Sequence, residues 1–268
     1  MPDAAPPPTP TWKRQLGSAL HRSRFFAHSG LGPAYLRWQR RRRRAARRAA
    51  EARGARHLSQ PALHALDAKL DRYLGEIAGG FFVEAGANDG FEQSNTYFLE
   101  RVRGWRGLLV EPVPHLCREA AAERPASQVV HAALVEPERA GAEVDLRYGG
   151  LTTVVAGSRG SLEEEREHVE AAFELGLEQE MEVTAPGRTL SSLLDECGAP
   201  AVDFMSLDLE GYEPQALRGL DLARHAPSYL LTEAWDGDDR DAIERALDDR
   251  YELVERLTPQ DALFARTS

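Results

Sequence analysis

The first residues able to do chemistry follow the apolar run FFVEA: Glu84, Gly86, Ala87, Asn88, Asp89 and Gly90. Two glycines four positions apart let the backbone turn tightly and approach a ligand closely, with acidic and amide side chains beside it. The spacing is not GxGxxG, because Asn88 stands where the second glycine of that dinucleotide pattern would fall. Carboxylates at Glu84 and Asp89 would repel a pyrophosphate and welcome a positive charge. Glu111, 21 residues after Gly90, ends a second apolar run at the position whose carboxylate accepts hydrogen bonds from ribose hydroxyls in such folds. A nucleoside carrying a cation fits both features, and S-adenosylmethionine has a sulfonium, an ammonium and a ribose diol. Taken singly, Gly86 and Gly90 also fit a plain strand-to-helix turn, and Glu111 with Pro112 a polar strand end.

Short apolar runs must position these residues: FFVEA at 81–85, GLLVEP at 107–112, SQVVHAALV at 127–135, VDFMSLDLE at 202–210 and SYLLTEAW at 228–235. Helical patterns separate most of them by too much chain for hairpins, so they predict parallel strands joined by crossover helices. YELVERL and DALFART, on either side of Thr258, Pro259 and Gln260, predict an antiparallel C-terminal pair at the edge. The fold class is therefore α/β, with ligands expected beyond the carboxyl ends of the strands. Leu63, Leu66, Leu70, Leu74 and Ile77 predict an amphipathic helix closed by Gly79 and Gly80, where the globular domain begins.

With 268 residues, 42% of them hydrophobic, the chain can bury one sizeable core beside an appendage. Its two cysteines, Cys117 and Cys197, lack any CxxC context, which excludes a disulfide scaffold and a zinc site. No apolar run approaches the roughly 20 residues that span a bilayer, and a cytoplasmic protein is expected. Charge is divided unevenly: residues 1–60 hold 14 Lys/Arg against Asp3 and Glu51, while 61–268 hold 19 against 41 Asp/Glu. The domain reading is accordingly a basic extension at 1–60 and a globular domain at 61–268, with an acidic insert at about 149–187. From Leu36 to Arg56 the extension is rich in Ala and Arg, which favours helix but offers no apolar stripe. It could be a solvated helix or dock on an acidic surface; nucleic acid is not expected as its partner. The acidic stretch Ser161 to Glu182, nine Glu against one Arg, is the nearest complement. It reads as a helical insert that covers the acceptor site or is simply solvated, and the arm is expected to fold across it, in the same chain or in a neighbouring copy.

The blocks FVEAGANDGFEQSNTYFLE, GWRGLLVEPVP, RTLSSLLDECGAPAVDFMSLDLEGYEPQALRGLD and YELVERLTPQDALFA resemble the FkbM-type S-adenosylmethionine-dependent methyltransferases over roughly residues 60–268. The resemblance implies a class I (Rossmann-like) methyltransferase fold and methylation of a hydroxyl on a sugar-containing or other small or secondary metabolite. Carried over position by position, Glu84, Gly86, Ala87, Asn88, Asp89 and Gly90 form the methionine pocket. Ser94, Asn95 and Thr96 open the next helix, whose N-terminal amides would take the cofactor carboxylate, although Asn95 and Thr96 also suit capping. Glu111 and Pro112 belong to the ribose site, and Ala132 and Ala133 wall the adenine. His131 is either a packed, backbone-bonded histidine or a base. All blocks follow Gln60, so the arm is expected to be dispensable for folding and cofactor binding.

The same resemblance brings Asp208, Glu210 and Glu213 into the crevice, opposite the methyl group. Methyl transfer from a sulfonium is an in-line displacement that needs alignment, and an alcohol is a poor nucleophile until its proton is being removed. Asp208 is the expected base or metal ligand, with Glu210 and Glu213 as substrate carboxylates or as caps of the following helix. Glu233 would complete an oxygen-rich set suited to Mg²⁺. An N-methyltransferase of the same fold, or a noncatalytic adenosine-ligand-binding or assembly protein, are the alternatives.

Overall fold

A computed structural model describes residues 31–149, 153–156, 181–234 and 237–267. The helical insert expected at 161–182 lies almost wholly outside the described residues. Eleven strands are described: β1 (Phe81–Ala85), β2 (Arg106–Glu111), β3 (Gln128–His131), β4 (Ala133–Leu134), β5 (Glu143–Tyr148), β6 (Thr153–Val155), β7 (Met181–Arg188), β8 (Phe204–Leu207), β9 (Tyr229–Glu233), β10 (Tyr251–Arg256) and β11 (Asp261–Arg266). Seven form the main sheet in the order β10-β11-β9-β8-β1-β2-β3. Its pairs from β9 to β3 are parallel, whereas β11 runs antiparallel to both β9 and β10. The mostly parallel sheet and its antiparallel C-terminal pair are as the sequence predicts.

Every residue of β1 is buried, as a central strand covered on both faces requires. Phe81, Val83 and Ala85 join one core cluster with Leu190, Leu193, Ala216, Leu217, Ile243 and Leu247. Phe82 points the other way, toward Leu66, Leu70, Leu74, Leu99 and Trp105. The described α-helices are α1 (Leu31–Glu51), α2 (Leu66–Leu74), α3 (Tyr97–Arg103), α4 (Pro114–Glu123), α5 (Leu190–Glu196), α6 (Glu213–Arg218), α7 (Leu222–His225) and α8 (Asp238–Leu247), and all but α1 and α4 pack into these two clusters. The predicted helix from Leu63 is shorter than its spacing suggests. His64 (φ 52°) and Ala65 (φ 54°) are left-handed, which breaks the helix ahead of Leu66 and leaves Leu63 44% exposed.

The run 127–135 is not one strand. It divides at Ala132, with β3 in the main sheet and β4 in a second sheet ordered β4-β7-β5-β6. Val144, Leu146, Val155 and Ala185 close that sheet over Tyr212, beside the crevice. The described arm packs on α4, where Arg44 and Arg47 each reach Glu123 at 2.5 Å; the contact expected with the acidic stretch falls outside the described residues.

Register fixes the site. Ala85 pairs with both Val110 and Leu207, and Leu207 with Thr232, so the carboxyl ends of β1, β2, β8 and β9 fall in one line. The residues after those ends necessarily share one edge of the sheet.

Candidate active site

A cavity of about 920 Å³, continuous with solvent, lies along that edge. Glu84, Gly86, Asn88, Ser94, Asn95, Glu111, Pro112, Ala132, Ala133, Asp208 and Glu210 line it, so the structure brings together residues that the sequence holds up to 126 positions apart. Among the described residues, Ala87, Asp89, Gly90, Thr96 and Glu213 do not reach its wall. Of six described non-glycine residues with positive φ, Asn88 (φ 49°), Gln93 (φ 60°) and Glu210 (φ 56°) all line it. Backbone in that region costs on the order of 1–3 kcal/mol per residue and persists where surrounding contacts enforce it, which is common at ligand sites.

The contacts that enforce the loop are visible behind it. Glu84 is 4% exposed and accepts from Ser94 Oγ at 2.9 Å, the Asn95 amide at 2.9 Å and Thr96 Oγ1 at 2.7 Å. Arg124, fully buried, donates to Glu84 at 3.2 Å, to Glu100 at 3.0 Å and to Thr96 Oγ1 at 2.8 Å. Ser94 Oγ takes the Thr96 and Tyr97 amides at 3.3 and 3.0 Å. The expectation that helix N-terminal amides near Ser94 await a cofactor carboxylate is thereby corrected: those amides already have Ser94 and Glu84. Capping falls to Ser94, and neither Asn95 nor Thr96 supplies it. Asp89 stands behind the wall too, its Oδ1 accepting from the amides of Phe91 and Glu92 at 2.9 and 2.8 Å.

Gly86 (φ 79°) ties this loop to the opposite strand end. A Cβ there would lie 2.1 Å from the carbonyl oxygen of Asp208. Gly86→Ala is expected to lower stability by about 1–3 kcal/mol through overpacking, readable as a lower urea midpoint; an unchanged midpoint would mean that the two strand ends part easily.

Glu111 is 3% exposed and accepts from the Asn88 and Val113 amides, both at 2.8 Å. Burial pushes its carboxyl up to about 8 despite those bonds, and the Asp89 charge adds to the effect. His131, its register partner, donates through Nε2 to the Pro112 carbonyl at 2.8 Å, matching the backbone-bonded alternative.

Across the cavity, Asp208 lines the wall and is exposed to the solvent there. Desolvation by the protein packed near it, followed by the charges of Glu210, Glu213, Asp261 and Glu84, pushes its carboxyl well above the ordinary range. Glu213 is 2% exposed, accepts from the Leu209 amide at 2.7 Å and is pushed up to about 7, chiefly by burial. Asp208, Glu213 and Glu233 each offer a carboxylate oxygen, all within 4.8 Å of one another. Tyr212, between them in sequence, donates to Glu136 at 3.0 Å and accepts from Arg139 at 2.8 Å, which ties this segment to the turn ahead of β5.

The model of the methyltransferase FkbM domain matches residues 84–254. The chain belongs to this family. It is thus an S-adenosylmethionine-dependent methyltransferase. No curated protein sequence matches it. Among solved structures, this methyltransferase is similar to a TehB-like SAM-dependent methyltransferase from Corynebacterium glutamicum, with 14% identity over 88% of this chain and 100% of that one and a TM-score of 0.40. It is also similar to the O-methyltransferase from Bacillus cereus in complex with SAH, at 11% identity, 96% and 97% coverage and a TM-score of 0.42. An SAH-bound methyltransferase of Podospora anserina matches at 8% identity, with 100% of both chains covered and a TM-score of 0.41.

In this FkbM methyltransferase the cavity fits the cofactor in chemistry. Asn95 donates its Nδ2 to Ser206 at 3.1 Å, which leaves its buried Oδ1 without a hydrogen-bond partner. A buried acceptor beside a cavity suits an ammonium donor. The residue that sequence reasoning missed is Arg124: it lies 40 positions from Glu84, and no local spacing marks it.

Proposed function

We propose that this methyltransferase transfers the methyl group to a hydroxyl of a sugar-containing or other small metabolite, with Asp208 as the base. The observation that carries the reading is Asp208 itself, a carboxyl raised above its usual range and open to the same cavity as Glu111 and the loop after β1. A hydroxyl requires proton removal during attack, and a carboxylate made more basic by its surroundings performs it better than an ordinary one. S-adenosylmethionine supplies the methyl group when bound. Asn88, Asn95 and Gly86 would hold its methionine end, Glu111 with Pro112 its ribose, and Ala132 with Ala133 its adenine; Glu84, Asp89 and Thr96 shape that wall from behind.

Asp208, Glu213 and Glu233 form a donor set of hard oxygens that suits Mg²⁺. Mg²⁺ held there would acidify and orient the acceptor hydroxyl. Both cysteines are free thiols, in keeping with a reducing compartment such as the cytoplasm. Incubating the protein with the cofactor and a panel of hydroxylated sugars and matching amines, and measuring S-adenosylhomocysteine, tests the reading. Turnover confined to the amines would make it an N-methyltransferase.

A second expected result concerns Glu111. Free, its carboxyl is about nine-tenths protonated at pH 7, given a value of about 8 against 4.5 in a solvated chain. Stability from this group should therefore fall as pH rises from about 4.5 to about 8, where only the unfolded carboxyl is ionised. Ribose hydroxyls and a nearby sulfonium favour the carboxylate, so cofactor binding at pH 7 should release close to one proton. Asp89 and Cys117 face the same carboxyl, and His131 is paired through its ring to Pro112. Calorimetry in buffers of differing ionisation heat measures that proton; Glu111→Ala should abolish it and weaken binding about ten- to a hundredfold, the equivalent of a charge-assisted hydrogen bond. Equal heats in all buffers would mean that Glu111 does not change ionisation on binding.

A further inference from the structure

We propose that the N-terminal helix α1 is a strap that positions the cofactor loop, with Arg44 and Arg47 as its positioning residues. The proposal rests on the reading that residues 86–95 hold the cofactor. It departs from the sequence expectation that the arm is dispensable for binding.

The family match begins at Glu84, so α1 is an addition to the matched domain, yet its Arg44, Arg47 and Arg48 converge on the back of the loop. Glu123, at the end of α4, is 1% exposed and is met by Arg44 and Arg47 at 2.5 Å and by Arg48 at 3.3 Å. Tyr97, first residue of α3 and directly after the loop, donates to the same carboxylate at 3.2 Å. From there the contacts enter the loop. Arg44 reaches Asp89 at 3.5 Å, and the guanidinium of Arg47 sits 3.3 Å from the centre of the Phe91 ring. Phe91 in turn packs edge-on against Tyr97, with ring centres 4.8 Å apart.

A further contact lies just after the arm. Ala62 pairs with Gln93 as an isolated bridge, and Gln93 is one of the left-handed residues that line the cavity. Three features of the loop thus lean on chain outside the matched domain: Asp89, whose Oδ1 sets the turn through the Phe91 and Glu92 amides; the Phe91 ring; and Gln93. Strained backbone holds its shape only where its surroundings determine it. A guanidinium over an aromatic face and buried charge pairs are strong enough to do so. Removing Arg44 and Arg47 leaves Glu123 to Arg48 and Tyr97 alone and takes from Asp89 its described guanidinium partner, under a loop that holds Asn88 and Gln93 in αL.

Arginines of α1 that face solvent supply a control. Arg41, Arg42 and Arg43 are exposed, and Arg42 stacks on the exposed Trp38 ring at 4.9 Å. A purely electrostatic effect of the arm on a negatively charged protein would respond equally to loss of either pair.

The test uses the full chain. Three double variants, Arg44→Gln with Arg47→Gln, Arg44→Lys with Arg47→Lys, and Arg41→Gln with Arg43→Gln, are compared with the unaltered protein. S-adenosylhomocysteine affinity is read by calorimetry, and amide exchange is read over 86–95 and over β1 and β2. In the first variant exchange at 86–95 should quicken while β1 and β2 keep their protection. A loop ordered about a tenth of the time weakens apparent affinity about tenfold. The lysine pair, which restores charge without the planar fork, should recover part of that loss, and the third variant should match the unaltered protein. Unchanged affinity and loop exchange in the first variant, or an equal loss in the third, would overturn the strap. If the glutamine pair does not fold, Phe91→Leu removes the ring beneath Arg47 and should quicken loop exchange and weaken affinity in the same direction. Failure of the unaltered protein to bind S-adenosylhomocysteine would instead overturn the cofactor reading, and the exchange comparison would still decide whether α1 holds the loop.

Discussion

Asp208→Asn is expected to lower methyl transfer by about 10² to 10⁴-fold, the usual cost of losing a general base, while S-adenosylhomocysteine affinity stays within about twofold of the unaltered protein. The amide keeps the shape of the side chain but cannot take a proton. It also removes one negative charge from a cluster in which Glu210, Glu213, Asp261 and Glu84 all act on the same carboxyl. The split between turnover and affinity therefore matters more than either value. A parallel fall in both would place Asp208 among the groups that hold the cofactor. Full turnover with the true acceptor would leave alignment as the whole of catalysis and make Asp208 structural. Because Glu213 and Glu233 bring oxygens within 4.8 Å of it, the assay should be repeated after chelation and again after Mg²⁺ is restored. Activity lost with chelator and regained with Mg²⁺ identifies a ligand role; activity indifferent to both leaves the base role.

The loop after β1 and Glu111 were legible in the sequence because local pattern and chemistry coincided there, whereas Asp208, Glu210 and Glu213 were marked by the family resemblance. FFVEA and GLLVEP announced central strands, and Glu111 stood at a spacing with a physical meaning. The C-terminal pair was marked by two β-rich runs around Thr258 and Pro259. The second sheet was not legible for the opposite reason. β7 contains Pro186 and Gly187, residues that usually interrupt strands, and β4 is only two residues long. The alternation of buried Val144, Leu146 and Tyr148 along β5 was its one available signal. Leu63 was misplaced because nothing in the types of His64 and Ala65 foretells a left-handed backbone. The arm's contacts with Asp89, Glu119 and Glu123 were hidden from charge counting, because those carboxylates are gathered only when α4 packs beside the loop.

Long-range pairing of the same kind underlies the other large expected effect, on Arg124. Its guanidinium lies fully buried between the carboxylates of Glu84 and Glu100, and it also donates to the Gly90 carbonyl at 3.3 Å and to Ser94 Oγ at 3.2 Å. Phe82 and Tyr97 cover it, with ring centres 5.1 and 5.6 Å away. Removing one partner from such a network costs far more than the network's net worth, because charges remain buried without compensation. Arg124→Met should accordingly lose about 3–5 kcal/mol of unfolding free energy, measured by urea titration. Met fills much of the same space, so a cavity does not account for a loss of that size. Adding Glu84→Gln and Glu100→Gln to Arg124→Met removes the stranded charges and should return a large part of the stability, giving a coupling of the kind expected for residues in direct contact. If Arg124→Met alone costs less than about 1 kcal/mol, the value of an exposed pair, then water reaches these carboxylates and the wall behind the cofactor loop is softer than its contacts indicate. If the loss is large but the added Gln changes recover none of it, Arg124 acts through its bonds to Gly90, Ser94 and Thr96 rather than through charge, and the loop is pinned by geometry alone.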